Sequence, residues 1–159
     1  MLCICFVAED TLFYWVHRTM HHKSIYAKVH KMHHEFKVPC AMAAEYAHPL
    51  EYFLSNAVPY AAGPMITGLI FGRVHVLATW IWGFLRVWEA VDGHSGYRID
   101  VSPFALFPFR PSAADHDWHH SKNAGNFASF FCHWDHCMGT SRHAVLARLE
   151  AKKAKGKST

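Results

Sequence analysis

The sequence predicts an all-α protein, an integral membrane helical bundle, from three observations. Residues 11–35 contain no glycine or proline, residues 52–72 contain no charged side chain, and a second uncharged run covers residues 74–85. Hydrophobic residues make up 52% of the 159-residue chain and charged residues only 18%, whereas about a quarter of the residues in a typical soluble domain are charged. This balance favours a membrane protein or a deeply buried chain.

The first helix is predicted over residues 11–35, with Asp10 and Thr11 at its N-terminal cap. The leading residues MLCICFVAED carry no basic group and reach Glu9 and Asp10 at once, so they do not resemble a secretory signal. Residues 38–51 contain two prolines and are predicted to form a connection with a short helix.

A membrane hairpin is predicted next. Residues 52–72 have about the length that crosses ~30 Å of hydrocarbon at ~1.5 Å per residue, and membrane helices tolerate prolines such as Pro59 and Pro64. Residues 74–85 predict the return helix, with interfacial tryptophans along and beyond it. The alternative is a pair of core helices in a soluble bundle. A looser connection rich in glycine, serine and proline follows Asp92.

The domain organisation is predicted as one domain over residues 1–145 and a basic tail over 146–159. The tail is either a solvated end or a cytosolic anchor beside a membrane. Because basic and aromatic residues do not interleave in it, no nucleic-acid partner is expected. The five cysteines form no C-x-x-C pair and are odd in number, so they predict reduced thiols rather than a zinc knuckle or a disulfide framework.

Histidines recur at helical spacing in three segments. Positions i, i+3 and i+4 share one face of a helix, so H-x-x-x-H at 17–21 and H-x-x-H-H at 30–34 and 116–120 aim two or three imidazoles in one direction. The same triplet occurring twice beside the pair is too regular for coincidence. The eight residues of this set are His17, His21, His30, His33, His34, His116, His119 and His120.

Eight imidazoles are too many for one metal ion, which takes roughly four to six ligands, and they predict two ions that share one site. Imidazole suits iron, copper, zinc or nickel, so the ligand type leaves the metal open. A structural zinc site closes at about four ligands. The number of rings therefore favours a dinuclear redox site that keeps positions open for O2.

Further residues are predicted around this site. His94 lies at the end of the hairpin, returns to the same side as the clusters, and is the predicted ninth ligand. His48 and His75 are candidates for a tenth ligand, His48 otherwise capping the start of the hairpin and His75 lying buried in an apolar run. His22 points about 100° away from His21 and is not expected to be a ligand. The carboxylates predicted to hold a ligand's second ring N–H are Asp92, Asp115, Asp117 and Glu45.

Three segments carry a resemblance to a known family. HRTMH (17–21), HKMHH (30–34) and HDWHH (116–120) resemble the histidine boxes of the fatty acid hydroxylase/sterol desaturase superfamily. Within it the chain is similar to the C-4 methylsterol monooxygenases, over about residues 8–140. The phrases that carry this finer resemblance are AEDTLFYWVHR (8–18), AEYAHPLE (44–51), LRVWEAVDGHSGY (85–97) and GNFASFFCHWD (125–135).

This resemblance implies a multi-pass enzyme of the endoplasmic reticulum membrane, with a non-haem di-iron centre that faces the cytosol. It implies that a 4-methyl group of a sterol is oxidised by O2 during sterol biosynthesis, through alcohol and aldehyde to carboxylate. Electrons would come from NAD(P)H through cytochrome b5 and its reductase. The eight histidines of the boxes, and His94, would be the iron ligands, with no catalytic residue beyond them.

Two alternatives stay open. One is another member of the superfamily, a sterol C-5 desaturase or a fatty-acyl hydroxylase with the same metals. The other is a truncated, non-catalytic membrane protein that binds metal, because members of the family usually have a longer N-terminal region with further membrane helices.

Overall fold

The computed structural model describes residues 1–97, 102, 104, 107 and 109–156, and every regular element among them is helical. The all-α prediction is confirmed for these residues. Among the described elements, the 3₁₀ turns η1 (His33–Glu35) and η2 (Ala41–Glu45) and a π turn (Tyr52–Ala57) accompany the α-helices. The helices are α1 (Leu2–Met20), α2 (Lys23–Tyr26), α3 (Pro49–Glu51), α4 (Val58–Phe71), α5 (Val76–Gly93), α6 (Ala113–Lys122), α7 (His133–Cys137) and α8 (Arg142–Gly156).

The predicted single helix over residues 11–35 is wrong at both ends, because α1 begins at Leu2 and ends at Met20. His22 takes an extended conformation, and its Nδ1 accepts a hydrogen bond from the backbone N–H of Ser24 at 3.4 Å, which caps α2. In one unbroken helix His17 and His34 would lie roughly 25 Å apart. The break after Met20 folds the chain back, so that both residues can reach one site.

Asp10 is not the helix cap that the sequence predicted. It lies inside α1, fully buried, and its Oδ1 accepts a hydrogen bond from the backbone N–H of Phe131 at 2.9 Å. Asp135 accepts from the backbone N–H groups of Phe127 and Ala128 at 3.0 and 2.9 Å. These two carboxylates replace the backbone partners that the irregular segment 127–131 lacks, and they fix this segment against α1.

The two apolar segments form a helical pair. The chain is helical from Pro49 to Phe71 through α3, the π turn and α4, and α5 carries the second segment on to Gly93. The sequence predicted that these helices cross a membrane, whereas none of the helices within the described residues combines enough length with enough apolar character to do so. Both helices expose large apolar side chains, among them Leu69 and Trp80, which are 84% and 75% exposed.

The core joins α1 to this helical pair. Gly63 of α4 packs directly on α1, where a Cβ would lie 2.4 Å from the Cα of Cys5. Trp82 of α5 is buried, and its indole N–H donates to the carbonyl of Tyr60 at 3.0 Å. The ring of Phe6 meets Trp82 edge-on at 5.3 Å. All five cysteines are free thiols, in agreement with the sequence prediction.

The predicted boundary between domain and tail falls inside a helix, because α8 runs through residue 145. Residues 157–159 of the predicted tail, and parts of the predicted loose connection after Asp92, lie outside the described residues.

Candidate metal centre

Nine histidine rings lie together in two groups, and within each group the candidate ligand atoms lie within 4.8 Å of one another. The groups adjoin, because the ring centroids of His34 and His120 are 4.7 Å apart. These nine are the residues that the sequence predicted to converge, and their role as ligands stays a prediction. The five-histidine cluster is His17, His21, His30, His34 and His119, and the four-histidine cluster is His33, His94, His116 and His120.

Helix α6 presents its three histidines as the sequence predicted. Its first turn is fixed by a capping box, in which the Ser112 hydroxyl accepts from the backbone N–H of Asp115 at 3.2 Å and the Asp115 carboxylate accepts from the backbone N–H of Ser112 at 3.1 Å. The i, i+3, i+4 spacing then places His116, His119 and His120 on one side of the helix.

The triplet at 30–34 reaches the site by a different route. Residues 27–32 form turns rather than an α-helix, and η1 carries His33 and His34. The helical expectation for this triplet is therefore wrong, although its three rings still converge. The tighter turns allow the chain to reverse between α1 and η2 within a few residues.

Five of the rings are oriented by backbone carbonyls. A carbonyl oxygen can only accept a hydrogen bond, so in each of these neutral rings Nδ1 carries the hydrogen and Nε2 carries a lone pair. The Nδ1–O distances are 2.8 Å for His17 to Phe127, 3.2 Å for His33 to Tyr46, 2.8 Å for His94 to Ala90, 2.6 Å for His119 to Gly125 and 3.0 Å for His120 to Phe36.

The Nε2 atoms of eight of the nine rings lie in close pairs inside the site. Six Nε2–Nε2 distances fall between 2.9 and 3.4 Å. Donor atoms bound at about 2.1 Å to adjacent positions of one octahedral ion lie about 3.0 Å apart. In addition, Nε2 of His17 is buried without a hydrogen-bond partner. Converging lone pairs at this spacing fit metal ions, which would remove the repulsion between them.

Burial keeps the rings in the form that binds metal. Loss of hydration lowers the pKa of His17 to about 3, and the same effect, reinforced by His33, lowers the pKa of His120 to about 3. The pKa values of the other seven rings are lowered as well, with burial as the largest cause. All nine imidazoles are therefore neutral near pH 7 and free to donate a lone pair.

Glu51 is the carboxylate that contacts a ring of the site, and the sequence did not single it out. Its Oε1 lies 2.6 Å from Nδ1 of His30. Burial raises the pKa of Glu51 to about 8 and lowers that of His30, so a single proton occupies this short contact. The only sequence signal was the place of Glu51 at the border of the uncharged run, in the phrase AEYAHPLE.

The four carboxylates that the sequence predicted for this role act elsewhere or make no such contact. Asp92 accepts from the Ser102 hydroxyl at 3.0 Å and pairs with Arg110, and Asp115 caps α6. Among the described hydrogen bonds, none joins Asp117 or Glu45 to a ring of the clusters. Backbone carbonyls, which carry no sequence signature, hold most of the rings instead.

The other histidines lie outside both clusters. The Nδ1 of His48 accepts from the backbone N–H of Leu50 at 3.2 Å and caps α3, which was the alternative role expected for it. His75 precedes α5 and is exposed, so its predicted burial is wrong. His22 caps α2 and is not part of the site, as predicted.

A cavity borders both clusters. His17 and His30 line it from the five-histidine cluster, and His33, His94 and His116 line it from the four-histidine cluster. Polar side chains of the π turn and α5 also line it, among them Ser55, Asn56, Arg86 and Glu89. A small molecule in this cavity would therefore lie directly beside the converging nitrogens.

The sequence model of the fatty acid hydroxylase family matches residues 2–140. The chain belongs to the fatty acid hydroxylase family. This confirms the resemblance that the histidine boxes predicted, and it agrees with the position of both clusters inside the matched residues.

Among its relatives, the chain is 42% identical to methylsterol monooxygenase 1 of Gallus gallus over 94% of its own length, and 44% identical to methylsterol monooxygenase 1 of Rattus norvegicus over 92%. It is also 42% identical over 86% of its length to the very-long-chain aldehyde decarbonylase GL1-8 of Oryza sativa. The alignments cover 48%, 48% and 50% of these relatives, so the chain spans about half of their length. No solved structure matches the chain.

Proposed function

We propose that the chain carries the di-iron centre of a sterol C-4 methyl oxidase. The observation that carries the proposal is the convergence of nine neutral imidazoles, six of them buried and three half-buried, in groups of five and four. Five of them have their lone pair directed inward by a carbonyl bond on the other ring nitrogen. Two groups suit two ions, and the smaller group leaves more coordination positions for O2.

Iron is proposed as the metal because oxygen chemistry needs a redox-active ion that imidazole can hold. When bound, the pair of irons would activate O2 for attack on an unactivated C–H bond. The protein's own residues keep the rings neutral by burial, orient them through backbone carbonyls and exclude water from the nitrogens. The Glu51 contact on His30 would raise the electron donation of that ring toward a metal.

The substrate is proposed to be a 4-methylsterol, with support from relatives that are named methylsterol monooxygenases. Each oxidation inserts one oxygen atom of O2 into a C–H bond and reduces the other atom to water with two electrons and two protons. We propose that NAD(P)H supplies these electrons through cytochrome b5 and its reductase. The methyl group would pass through alcohol and aldehyde to carboxylate.

A second candidate function is the conversion of long-chain aldehydes. The relative named very-long-chain aldehyde decarbonylase is as similar to this chain as the Gallus gallus protein is, at 42% identity. Both candidates use the same metal site and differ in the molecule that reaches it. The shape and polarity of the cavity beside the clusters therefore influence which of the two substrates, sterol or long-chain aldehyde, can reach the metal site.

The proposed location is the endoplasmic reticulum membrane, with the metal site facing the cytosol. The support is the exposed apolar surface of α4 and α5, which includes Leu69, Phe71, Trp80 and Phe84. Several large exposed apolar side chains on two neighbouring helices suit contact with lipid hydrocarbon or with a partner. Membrane lipid would also deliver an apolar substrate directly to the protein.

The experiment has two parts. Metal analysis of detergent-purified chain is expected to give close to two irons per chain, and one tightly held zinc without iron would contradict the proposal. Membranes that contain the chain are then given 4,4-dimethylsterol or a long-chain aldehyde with NAD(P)H, and products are identified by mass spectrometry. A 4-carboxysterol supports the proposal, an alkane supports the second candidate, and iron without either product favours a non-catalytic role.

A further inference from the structure

A second cavity continues from the one that borders the histidine clusters. The inner cavity touches the rings, and the outer cavity is wider and more open to the surface. The two share three lining residues: Asn56 of the π turn and Arg86 and Ala90 of α5. The two cavities therefore adjoin at these three residues, between the π turn and α5, on the way from the surface to the candidate metal centre.

Away from the shared residues, the outer cavity is lined mainly by aromatic, apolar and small residues. Tyr52, Tyr60 and Val87 line it, together with Gly83 and one carboxylate, Glu45. A Cβ at Gly83 would lie 3.0 Å from the hydroxyl of Tyr60. Because glycine has no side chain, the gap between α4 and α5 stays open at this position. The opening lies between the two helices whose exposed apolar side chains are proposed to contact lipid.

A polar group occupies the junction of the two cavities. Arg86 is buried, with its Nε 2.6 Å from Oε1 of Glu9. One terminal nitrogen lies 3.3 Å from Oδ1 of Asn56, and the other lies 3.5 Å from Oε2 of Glu89. A guanidinium has five N–H donors in a rigid plane, so the three contacts made within the described residues leave two donors for a ligand in the cavity.

The shape of the π turn places Asn56 at this junction. A π turn adds one residue to a helical stretch and changes the direction of the side chains that follow, and such turns are frequent at functional sites. Ser55 and Asn56 line the inner cavity while Tyr52 and Asn56 line the outer one. The irregular turn therefore exposes its polar side chains to the two cavities rather than to the helix packing.

We propose that the two adjoining cavities form the access route of an amphipathic substrate, and that Arg86 and Asn56 bind its single oxygen function. The inference rests on the proposed function and names the recognition point of the same site. In a 4-methylsterol the hydroxyl sits on the carbon next to the one that carries the reacting methyl groups. With this hydroxyl accepting from Arg86 and donating to Asn56, the neighbouring methyl group points into the inner cavity and the apolar rings occupy the outer one.

The access route is tested by filling the outer cavity with a larger side chain. In Gly83→Leu the new side chain is directed at the Tyr60 hydroxyl and fills the outer cavity. The control is Gly68→Leu on α4, where the nearest atom to a new Cβ is Val74 Cγ2 at 3.4 Å. Gly68 lines neither the inner nor the outer cavity. Both variants are expected to keep the iron content of the unmodified chain. Gly83→Leu is expected to weaken binding of tritiated 4,4-dimethylsterol at least tenfold, and equal binding by the two variants would overturn the route.

The recognition point is tested with Arg86→Lys and Asn56→Leu. Arg86→Lys keeps a positive charge for Glu9, so folding is preserved, but it removes the planar donors. The iron-loaded chain is expected to bind 4,4-dimethylsterol about tenfold more tightly than its 3-deoxy analogue, because a hydrogen bond to a charged group is lost with the hydroxyl. Each variant is expected to reduce this ratio to below about threefold. A ratio unchanged from the unmodified chain in both variants would overturn the assignment.

These readouts separate the two proposals. Sterol binding that depends on the hydroxyl and on Arg86, without formation of a 4-carboxysterol, supports the recognition point and contradicts the proposed function. Formation of a 4-carboxysterol at an equal rate in the unmodified chain and in Gly83→Leu supports the proposed function and contradicts the access route.

Discussion

His33 and His94 lie 61 residues apart in the chain, and their Nε2 atoms are 3.4 Å apart in the structure. Each ring donates its Nδ1–H to a backbone carbonyl, of Tyr46 and of Ala90. Neither Nε2 can therefore donate to the other, and two lone pairs face each other in a buried site. A cation held between them would turn this repulsion into binding energy.

The first prediction concerns metal content. His33→Ala removes one of four rings from the smaller cluster, so the iron content of the purified chain is expected to fall from about two ions to about one. The matched control is His22→Ala, since His22 is exposed and caps α2 outside both clusters. Metal analysis by mass spectrometry measures both variants. Two irons retained in His33→Ala would show that this ring is not a ligand.

The second prediction concerns the pH dependence of the metal-free chain. The pKa values of His17 and His120 are lowered to about 3 in the folded state, whereas that of an unfolded histidine is about 6.5. Between these values the unfolded chain takes up protons and the folded chain does not. The contribution of each such ring to the free energy of unfolding therefore falls as the pH drops below 6.5, by about 1.4 kcal/mol per pH unit. Buried carboxylates with a raised pKa, such as Asp10 and Glu51, act in the opposite direction, but the nine lowered histidines outnumber them.

Thermal unfolding followed by circular dichroism between pH 7.5 and 4.5 checks this slope. The iron-loaded chain serves as the comparison, because bound metal competes with protons for the same nitrogens and shifts the loss of stability to lower pH. An unfolding temperature of the metal-free chain that stays constant over this range would contradict the prediction.

The third prediction concerns Glu51, whose Oε1 lies 2.6 Å from Nδ1 of His30. Glu51→Ala removes the partner that orients the ring and increases its basicity, and the affinity for iron is expected to fall about 10- to 100-fold. Competition with a chelator of known affinity measures this change. Glu150→Ala on the exposed helix α8 is the control, and equal iron affinity in the two variants would rule out a supporting role for Glu51.

The histidine cluster could be predicted from the sequence because its spacing matches regular local structure. The i, i+3, i+4 pattern on α6 and the i, i+4 pair on α1 give the directions of His17, His21 and the 116–120 triplet without any tertiary information. The position of His94 could be predicted because a pair of antiparallel helices returns the chain to the side from which it started. These inferences depend only on the geometry of helices, which does not vary with context.

The partners of the rings could not be predicted, because they depend on tertiary contacts. The carbonyl that orients His17 belongs to Phe127, 110 residues away, and a backbone carbonyl leaves no mark in a sequence. The sequence predicts a helix cap at Asp10 because acidic residues favour that position. Its burial is explained only by the tertiary contact with Phe131, from whose backbone N–H the Asp10 carboxylate accepts a hydrogen bond. The break at His22 was missed because a helix can end without glycine or proline.

The fourth prediction concerns the contact between α1 and α4. A Cβ at Gly63 would lie 2.4 Å from the Cα of Cys5, a backbone atom that can move only with its helix. Gly63→Ala is therefore expected to destabilise the chain by about 1–3 kcal/mol. Gly68→Ala on the same helix meets no atom closer than 3.4 Å and is expected to be neutral or to stabilise by up to ~1 kcal/mol. Denaturant unfolding compares the two, and equal stability would show that the helices do not pack this closely.

The fifth prediction concerns the exposed apolar surface of α4 and α5, which we propose contacts lipid. Leu69 and Trp80 are 84% and 75% exposed, and burial of such a side chain in hydrocarbon contributes about 1.5–3 kcal/mol. Leu69→Asp and Trp80→Asp are each expected to lower the fraction of chain that sediments with phosphatidylcholine vesicles, by about tenfold or more in partition coefficient. Leu149→Asp on α8, which lies outside this surface, is expected to sediment as the unmodified chain does. Equal sedimentation of all three variants would contradict the proposed lipid contact of α4 and α5 and would favour a protein partner on this surface.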